Sequence, residues 1–131
     1  SALVVTIEGA RLHRWGMLSN DGWAVITIDP QEIDLTQYKD GSTVELARAQ
    51  VPIGHYDVAD LLASGARGVL QSGEQVDVQL SLEPVRVAVG LRAGEVTQVT
   101  FDLVVQDLSD HPGKTWDVLI KEVRVERQPQ P

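Results

Sequence analysis

The feature that most constrains the fold is a regular alternation of apolar and polar residues over residues 75–83. Val76, Val78, Leu80 and Leu82 occupy one set of alternate positions, and polar residues occupy the other. Successive side chains of a β-strand point to opposite faces, so this pattern predicts a half-buried strand. Pro84 interrupts the pattern, which resumes over residues 85–92. The core is therefore expected to form between sheet faces.

Other segments repeat the same period. Residues 97–103 alternate after a turn at Ala93-Gly94-Glu95, and residues 3–8, 23–29 and 116–120 alternate near the two ends of the chain. The three central segments predict three consecutive antiparallel strands. Gly9 indicates a bulge in the first strand, because glycine tolerates the irregular backbone of a bulge. Val123 and Val125 break the parity of the last strand, which predicts a one-residue bulge near Lys121 and Glu122.

The stretch from residue 40 to residue 70 has two interpretations. Ser42 and Glu45 have the spacing of a helix capping box, whereas Pro52 and Gly54 would cut such a helix short. We predict strands over residues 44–51 and 56–62, with one short helix within 42–65 as the alternative.

Many short strands separated by turn signals predict an all-β fold. We expect a single antiparallel β-sandwich of about seven to nine strands, of immunoglobulin-like type. The sandwich domain is expected to span residues 1–127, followed by a disordered tail over residues 128–131.

The charge of the chain limits its partners. A net charge of -8 and a pI near 4.7 argue against nucleic acid and anionic membranes, since both are bound through clustered Lys and Arg. There is no cysteine and no apolar run long enough to span a bilayer, so the chain is expected to contain no transmembrane segment. His13, His55 and His111 lie far apart in sequence, with no nucleophile motif beside them, and are interpreted as surface histidines. We therefore expect no enzyme and no cofactor, with calcium as the one exception.

The order of several segments resembles a known family. These segments are VTIEGARLHR (5–14), GW (22–23), IDL (33–35) and VPIGHY (51–56), followed by a strand that ends in Phe101-Asp102. They are similar to a family of bacterial and archaeal envelope domains catalogued as a domain of unknown function. The resemblance implies a lipoprotein or adhesin with a transthyretin-like sandwich, located in the cell envelope or outside the cell, and it brings no catalytic residues.

The chain differs from this family in two places. Nothing before Leu3 supplies the additional first strand that members typically carry, and the segment 63–68 reads as an unusual insertion. A missing first strand would leave its neighbour with an open edge. An apolar, β-branched segment near the N-terminus would then be the interaction edge, open to a strand from another chain. Its residues are Ala2, Leu3, Val4, Val5, Thr6 and Ile7.

Two kinds of ligand site are candidates. Exposed aromatic rings bind sugars, and Trp15 and Tyr38 lie outside the regular strands, whereas Trp23 and Trp116 are expected in the core. Loop oxygens bind calcium, although the same residue types also form ordinary turns. The candidate calcium ligands are Asn20, Asp21, Asp29, Asp107 and Asp110.

The sequence thus supports three hypotheses about function. The first is a non-catalytic structural or interaction module of the cell surface that assembles with itself or a protein partner through strand edges. The second is a module that binds a glycan or calcium, and the third is an enzyme of unrecognised type.

Overall fold

The computed structural model describes residues 2–38, 43–108 and 115–129. These residues form an all-β structure, as the alternation predicts. The strands are β1 (Ala2–Arg14), β2 (Trp23–Asp34), β3 (Gly54–Val69), β4 (Gln75–Ser81), β5 (Val85–Leu91), β6 (Glu95–Leu108) and β7 (Thr115–Pro129), with a short 3₁₀ helix at Leu35–Gln37.

The seven strands form one curled sheet in the order β2-β1-β3-β4-β7-β6, with β5 beside β3. β3 is long enough to have different neighbours at its two ends. Its first half pairs with β5, and its last residues, Gly68 and Val69, pair with β4. β3 therefore joins the part of the sheet that contains β1, β2 and β5 to the part that contains β4, β7 and β6.

The curl of the sheet brings distant strands together around two apolar clusters. Leu3, Val5 and Ile7 of β1 pack with Val118 of β7 in the first cluster. Leu12, Tyr56, Ala59 and Val89 form the second cluster. Phe101 of β6 packs against both clusters, so β6 and β7 cover the inner faces of β1 and β3.

Both predicted bulges are confirmed. Against β3, Ile7 pairs with Ala63 and Gly9 with Leu62, which leaves Glu8 as the extra residue of β1. A Cβ on Gly9 would lie only 2.1 Å from the Ile26 carbonyl oxygen of β2. In β7, Asp102 pairs with Glu122 and Leu103 with Ile120, which leaves Lys121 as the extra residue. This bulge places Val123 and Val125 against the second cluster, as the broken parity predicts.

The pairing of the central strands corrects the prediction of three consecutive antiparallel strands. β4 runs parallel to β7, and β5 pairs antiparallel with β3. β6 pairs with β7. Both β4 and β5 therefore lie beside β3, at different ends of it, and do not form a hairpin across Pro84.

The strand predicted over residues 44–51 is also wrong. Residues 43–53 have no regular secondary structure, and no α-helix occurs in the described part of residues 42–65. Leu46 and Val51 pack against the two clusters, so apolar contacts rather than ladder hydrogen bonds position this segment. Ser42 of the proposed capping box lies outside the described residues.

Two further segments differ from expectation. The segment 63–68 is not a separate insertion, because it continues β3 and pairs with β1. β7 extends to Pro129, and its residues Gln128 and Pro129 pair with Val96 and Glu95. Two residues of the predicted tail thus belong to a strand.

Candidate functional site

The turn between β1 and β2 exposes a concentration of large apolar side chains. Trp15 is 71% exposed, Leu18 72% and Met17 48%. Ile53, 59% exposed, lies beside this turn, since its carbonyl oxygen accepts a hydrogen bond of 3.1 Å from Nη2 of Arg14. We call Trp15, Met17, Leu18 and Ile53 the apolar tip.

Backbone hydrogen bonds fix the shape of this turn. The Arg14 N–H donates to the Gly22 carbonyl at 2.8 Å, and the Asp21 N–H donates to the Leu18 carbonyl at 2.9 Å. The Trp15 N–H donates to the His55 carbonyl at 2.9 Å, which ties the turn to the start of β3. A turn held at both of its ends and to a neighbouring strand presents its apolar side chains in a defined arrangement.

The buried side chain of His13 holds the β1–β2 turn through its two ring nitrogens. Its side chain is buried, and its ring meets the edge of the Trp23 ring with the centroids 5.0 Å apart. Nδ1 lies 2.7 Å from an Asp57 carboxylate oxygen, and Nε2 lies 2.7 Å from the Leu18 carbonyl oxygen. A neutral imidazole can donate from only one nitrogen, whereas the imidazolium donates from both. The hydrogen bond to Asp57, followed by that to Leu18, therefore raises the pKa of His13 above its ordinary value of 6.5.

The raised pKa of His13 leads to a pH-dependent stability. Because the folded-state pKa lies above the unfolded one, charged His13 adds stability that is complete well below about pH 6.5 and is lost as the pH rises through the folded-state pKa. We expect the difference in Tm between the wild type and His13→Gln to shrink as the pH rises from about 5 to about 9. Thermal melts of both proteins measure it, and a difference that stays constant would contradict the role of the charged ring.

Arg11 extends this network across three strands. Its Nε donates to the Asp60 carboxylate at 2.7 Å, and its guanidinium lies 3.9 Å from the centroid of the Trp23 ring. Trp23 therefore lies on the outer face of β2 beneath Arg11 and not in the core as predicted. Its Nε1–H donates to the Ser19 carbonyl at 2.9 Å, a further contact to the turn.

A groove adjoins the apolar tip on the outer face of β3 and β5. It has a volume of about 640 Å³, and Trp15, His55 and Arg86 line it. Ala88 and Gly90 also line it, so only small side chains occupy the outward positions of β5 between Arg86 and Arg92. We call this the β5 groove.

Comparison with known families assigns the chain. The model of a family described as "Domain of unknown function (DUF4382)" matches residues 1–114. The chain belongs to the DUF4382 family. No curated protein and no solved structure matches it. The DUF4382 match includes β1 to β6 and the apolar tip, whereas β7, the strand between β4 and β6, follows it.

The two predicted sugar-binding rings of this DUF4382 domain lie far apart in the structure. Trp15 lies at one end of the β1–β2 pair, and Tyr38 follows the 3₁₀ helix near the other end. About ten residues of β1 separate these ends, which at 3.3 Å per residue is roughly 30 Å. Trp15 remains a candidate, and Tyr38 is not part of the same site.

The predicted calcium ligands are also dispersed. Asn20 and Asp21 lie in the β1–β2 turn, whereas Asp29 lies well along β2, about 20 Å away at the rise of a strand. Asp107 is on β6, and Asp110 lies outside the described residues. Within the described ranges, no three His, Cys, Asp or Glu side chains form a metal-binding group. The structure therefore does not bring Asn20 and Asp21 together with Asp29.

The predicted interaction edge at residues 2–7 is corrected as well. β1 lies inside the sheet, with β2 on one side and β3 on the other. Val4, for example, has both Asp34 and Arg67 as partners. Since both of its edges are hydrogen-bonded, this segment of β1 offers no open edge to another chain.

Sequence reasoning missed the polar network beneath the turn. Asp57 and Asp60 lie on β3, 44 and 49 residues beyond the side chains they bind. One signal was present in the sequence, since Arg11 and His13 occupy the positions on either side of the core residue Leu12. The prediction that His13 is a surface residue is wrong, since its side chain is buried, while His111 lies outside the described residues.

The described residues include no helix with the length and hydropathy needed to cross a bilayer.

Proposed function

We propose that this domain is a non-catalytic interaction module of the cell surface or envelope, which binds a protein partner through its apolar tip. The observation that carries the proposal is the exposure of Trp15 and Leu18, each more than two-thirds exposed on a turn held by hydrogen bonds. The envelope location and a transthyretin-like sandwich rest on the sequence resemblance, and an immunoglobulin-like sandwich rests on the strand pattern. The order of the turn matters because a surface that is already formed loses less entropy on binding.

The composition of the apolar tip favours a protein partner. Tryptophan and methionine are enriched in protein interfaces, and tryptophan is prominent among the residues that contribute most to binding. Exposed apolar patches on soluble domains commonly mark interaction sites. The chain as a whole is acidic, with a net charge of -8. The apolar tip is therefore the part of this surface best suited to burial against another protein.

The His13–Asp57 pair supports binding rather than catalysis at this end of the sheet. A histidine that acts as a general base needs a free nitrogen within reach of a substrate or nucleophile. Here Nε2 of His13 is held by the Leu18 carbonyl, and the residue is only 5% exposed. The pair is suited to holding the turn in place.

Leu18→Ser and Met17→Ser test the proposal. We expect each substitution to weaken saturable binding of the labelled chain to envelopes of the cells that produce it by about tenfold, the effect of a hot-spot side chain. Val105→Ser on β6, where the side chain is 39% exposed, is the matched control and is expected to bind like the wild type. The measurement is a binding isotherm, with a thermal melt to confirm folding.

An unchanged Kd for both variants of the apolar tip would refute the proposed contact. Loss of binding in Val105→Ser alone would instead locate the interface on β6.

A second candidate contact is the outer edge of β6. β6 is at one end of the strand order, and among the described residues no other strand pairs with that edge. It contains neither proline nor lysine, whereas β2, at the opposite end, carries Pro30 and a register shift. Such features blunt the edges of natural sheets, so β6 is the edge better able to accept an added strand. Its charged residues are all acidic, which favours a basic partner strand over a second copy of this chain.

A further inference from the structure

The β5 groove differs in charge from most of the protein. Arg86 lines it, and Nη1 of Arg127 lies 3.8 Å from the position that a Cβ on Gly90 would occupy. His55 Nδ1 lies 3.6 Å from the same position. Within the described residues, Arg86 and Arg127 form no salt bridge with a carboxylate. A chain with a net charge of -8 thus places basic side chains around one open groove.

The one carboxylate that lines the β5 groove does not neutralise these groups directly. Asp57 is turned to the buried His13, whose Nδ1 lies 2.7 Å from its Oδ1. The described salt bridges join Asp57 to His13 and not to either arginine. The arginines therefore remain available to an anionic ligand, and a guanidinium binds a carboxylate through two parallel hydrogen bonds.

The shape of the groove indicates the rest of the ligand. Ala88 and Gly90 leave a floor with little side-chain relief, and the largely exposed Trp15 side chain also lines the groove. The Trp15 backbone is hydrogen-bonded to the His55 carbonyl at 2.9 Å, so the base of this side chain is fixed to the wall of the groove. A flat ligand with an apolar face fits between an aromatic ring and such a floor.

We propose that the β5 groove binds a carboxylated sugar, such as a uronic acid unit of an acidic polysaccharide. The C–H face of the sugar packs on Trp15, and Arg86, which lines the groove, binds its carboxylate. This site goes beyond the protein contact at the apolar tip and shares only Trp15 with it. Met17 and Leu18 belong to the protein contact alone, whereas Arg86 and Gly90 belong to the groove alone.

Calorimetric titration with short oligosaccharides tests this site. The probes are oligogalacturonate, its methyl ester as the matched neutral ligand, and oligosaccharides of hyaluronan and alginate. We expect at least one acidic probe to bind. If it is oligogalacturonate, we expect the ester to bind at least about tenfold more weakly, the typical effect of losing a charged hydrogen bond. Arg86→Gln is expected to weaken binding of the acidic probe by a similar factor.

Three further variants separate this site from the apolar tip. Gly90→Leu places a side chain on the floor of the groove and is expected to abolish sugar binding. Arg92→Gln removes a nearby charge that does not line the groove and is expected to leave binding unchanged, as is Leu18→Ser. The proposal is overturned if no acidic probe binds, if the ester binds as well as the acid, or if Arg86→Gln and Arg92→Gln have the same effect. Loss of envelope binding in Leu18→Ser with sugar binding intact would leave both sites standing as separate sites.

Discussion

Gly9→Ala is expected to destabilise the domain by about 3 kcal/mol or more, although glycine to alanine is a small change. The backbone of Gly9 has a φ of 152°, and a Cβ there would lie 2.1 Å from the Ile26 carbonyl oxygen on β2. Strain at such a backbone position costs about 1–3 kcal/mol, and overpacking costs a similar amount. The pairing of β1 with the end strand β2 would have to open beside the register shift at Gly9. A denaturant titration of both proteins measures the loss.

Gly65→Ala is the matched control for this substitution. Gly65 lies on β3, the neighbouring strand, and a Cβ there would meet no atom within 4 Å. We expect a change within about 1 kcal/mol, since replacing an unstrained glycine mainly restricts the unfolded chain. If Gly9→Ala were as mild as Gly65→Ala, the register of β1 on β2 would be wrong.

Phe101→Ala is expected to cost about 3 kcal/mol, the lower end of the range for a buried aromatic residue because the ring is only partly buried. Phe101 packs against both apolar clusters, so its loss opens a cavity where the inner faces of the sheet meet. The free energy of unfolding from a denaturant titration gives the cost.

Val104→Ala on the same strand provides the comparison for Phe101→Ala. The Val104 side chain is 41% exposed, and we expect its truncation to change stability by no more than about 0.5 kcal/mol. A cost below about 1 kcal/mol for Phe101→Ala would show that the Phe101 side chain does not point into the core.

The local sequence pattern predicted where the strands lie better than it predicted which strands pair with each other. Alternation located β4, β5 and β6, and the parity of Val123 located the bulge in β7, because these signals depend on side chains close in sequence. The parallel pairing of β4 with β7 joins residues such as Val78 and Trp116, which are far apart in the chain. No local pattern contains that information, since pairing depends on how the whole sheet curls.

The outer face of β2 shows why Trp23 was assigned to the core. Apolar residues occupy both faces of this strand: Ala24 packs inward, while Trp23 and Val25 lie on the outer face beside β1 residues His13 and Arg11. Alternation cannot choose a face when both sets of positions are apolar. Trp15 was identified as a candidate because it falls outside the strand pattern, but its neighbours from β3 and β5 required the structure.

Site-specific photo-crosslinking in the cells that produce the protein tests the central claim most directly. A photoreactive residue replaces Leu18 in the apolar tip in one variant, and Val104 on β6 in another. We expect the variant at Leu18 to form a discrete crosslinked product with one protein partner. The yield of this product should fall strongly when Met17→Ser is added, and the variant at Val104 should form none. No product from Leu18, or a product from Val104 alone, would contradict an interaction module that binds through the β1–β2 turn.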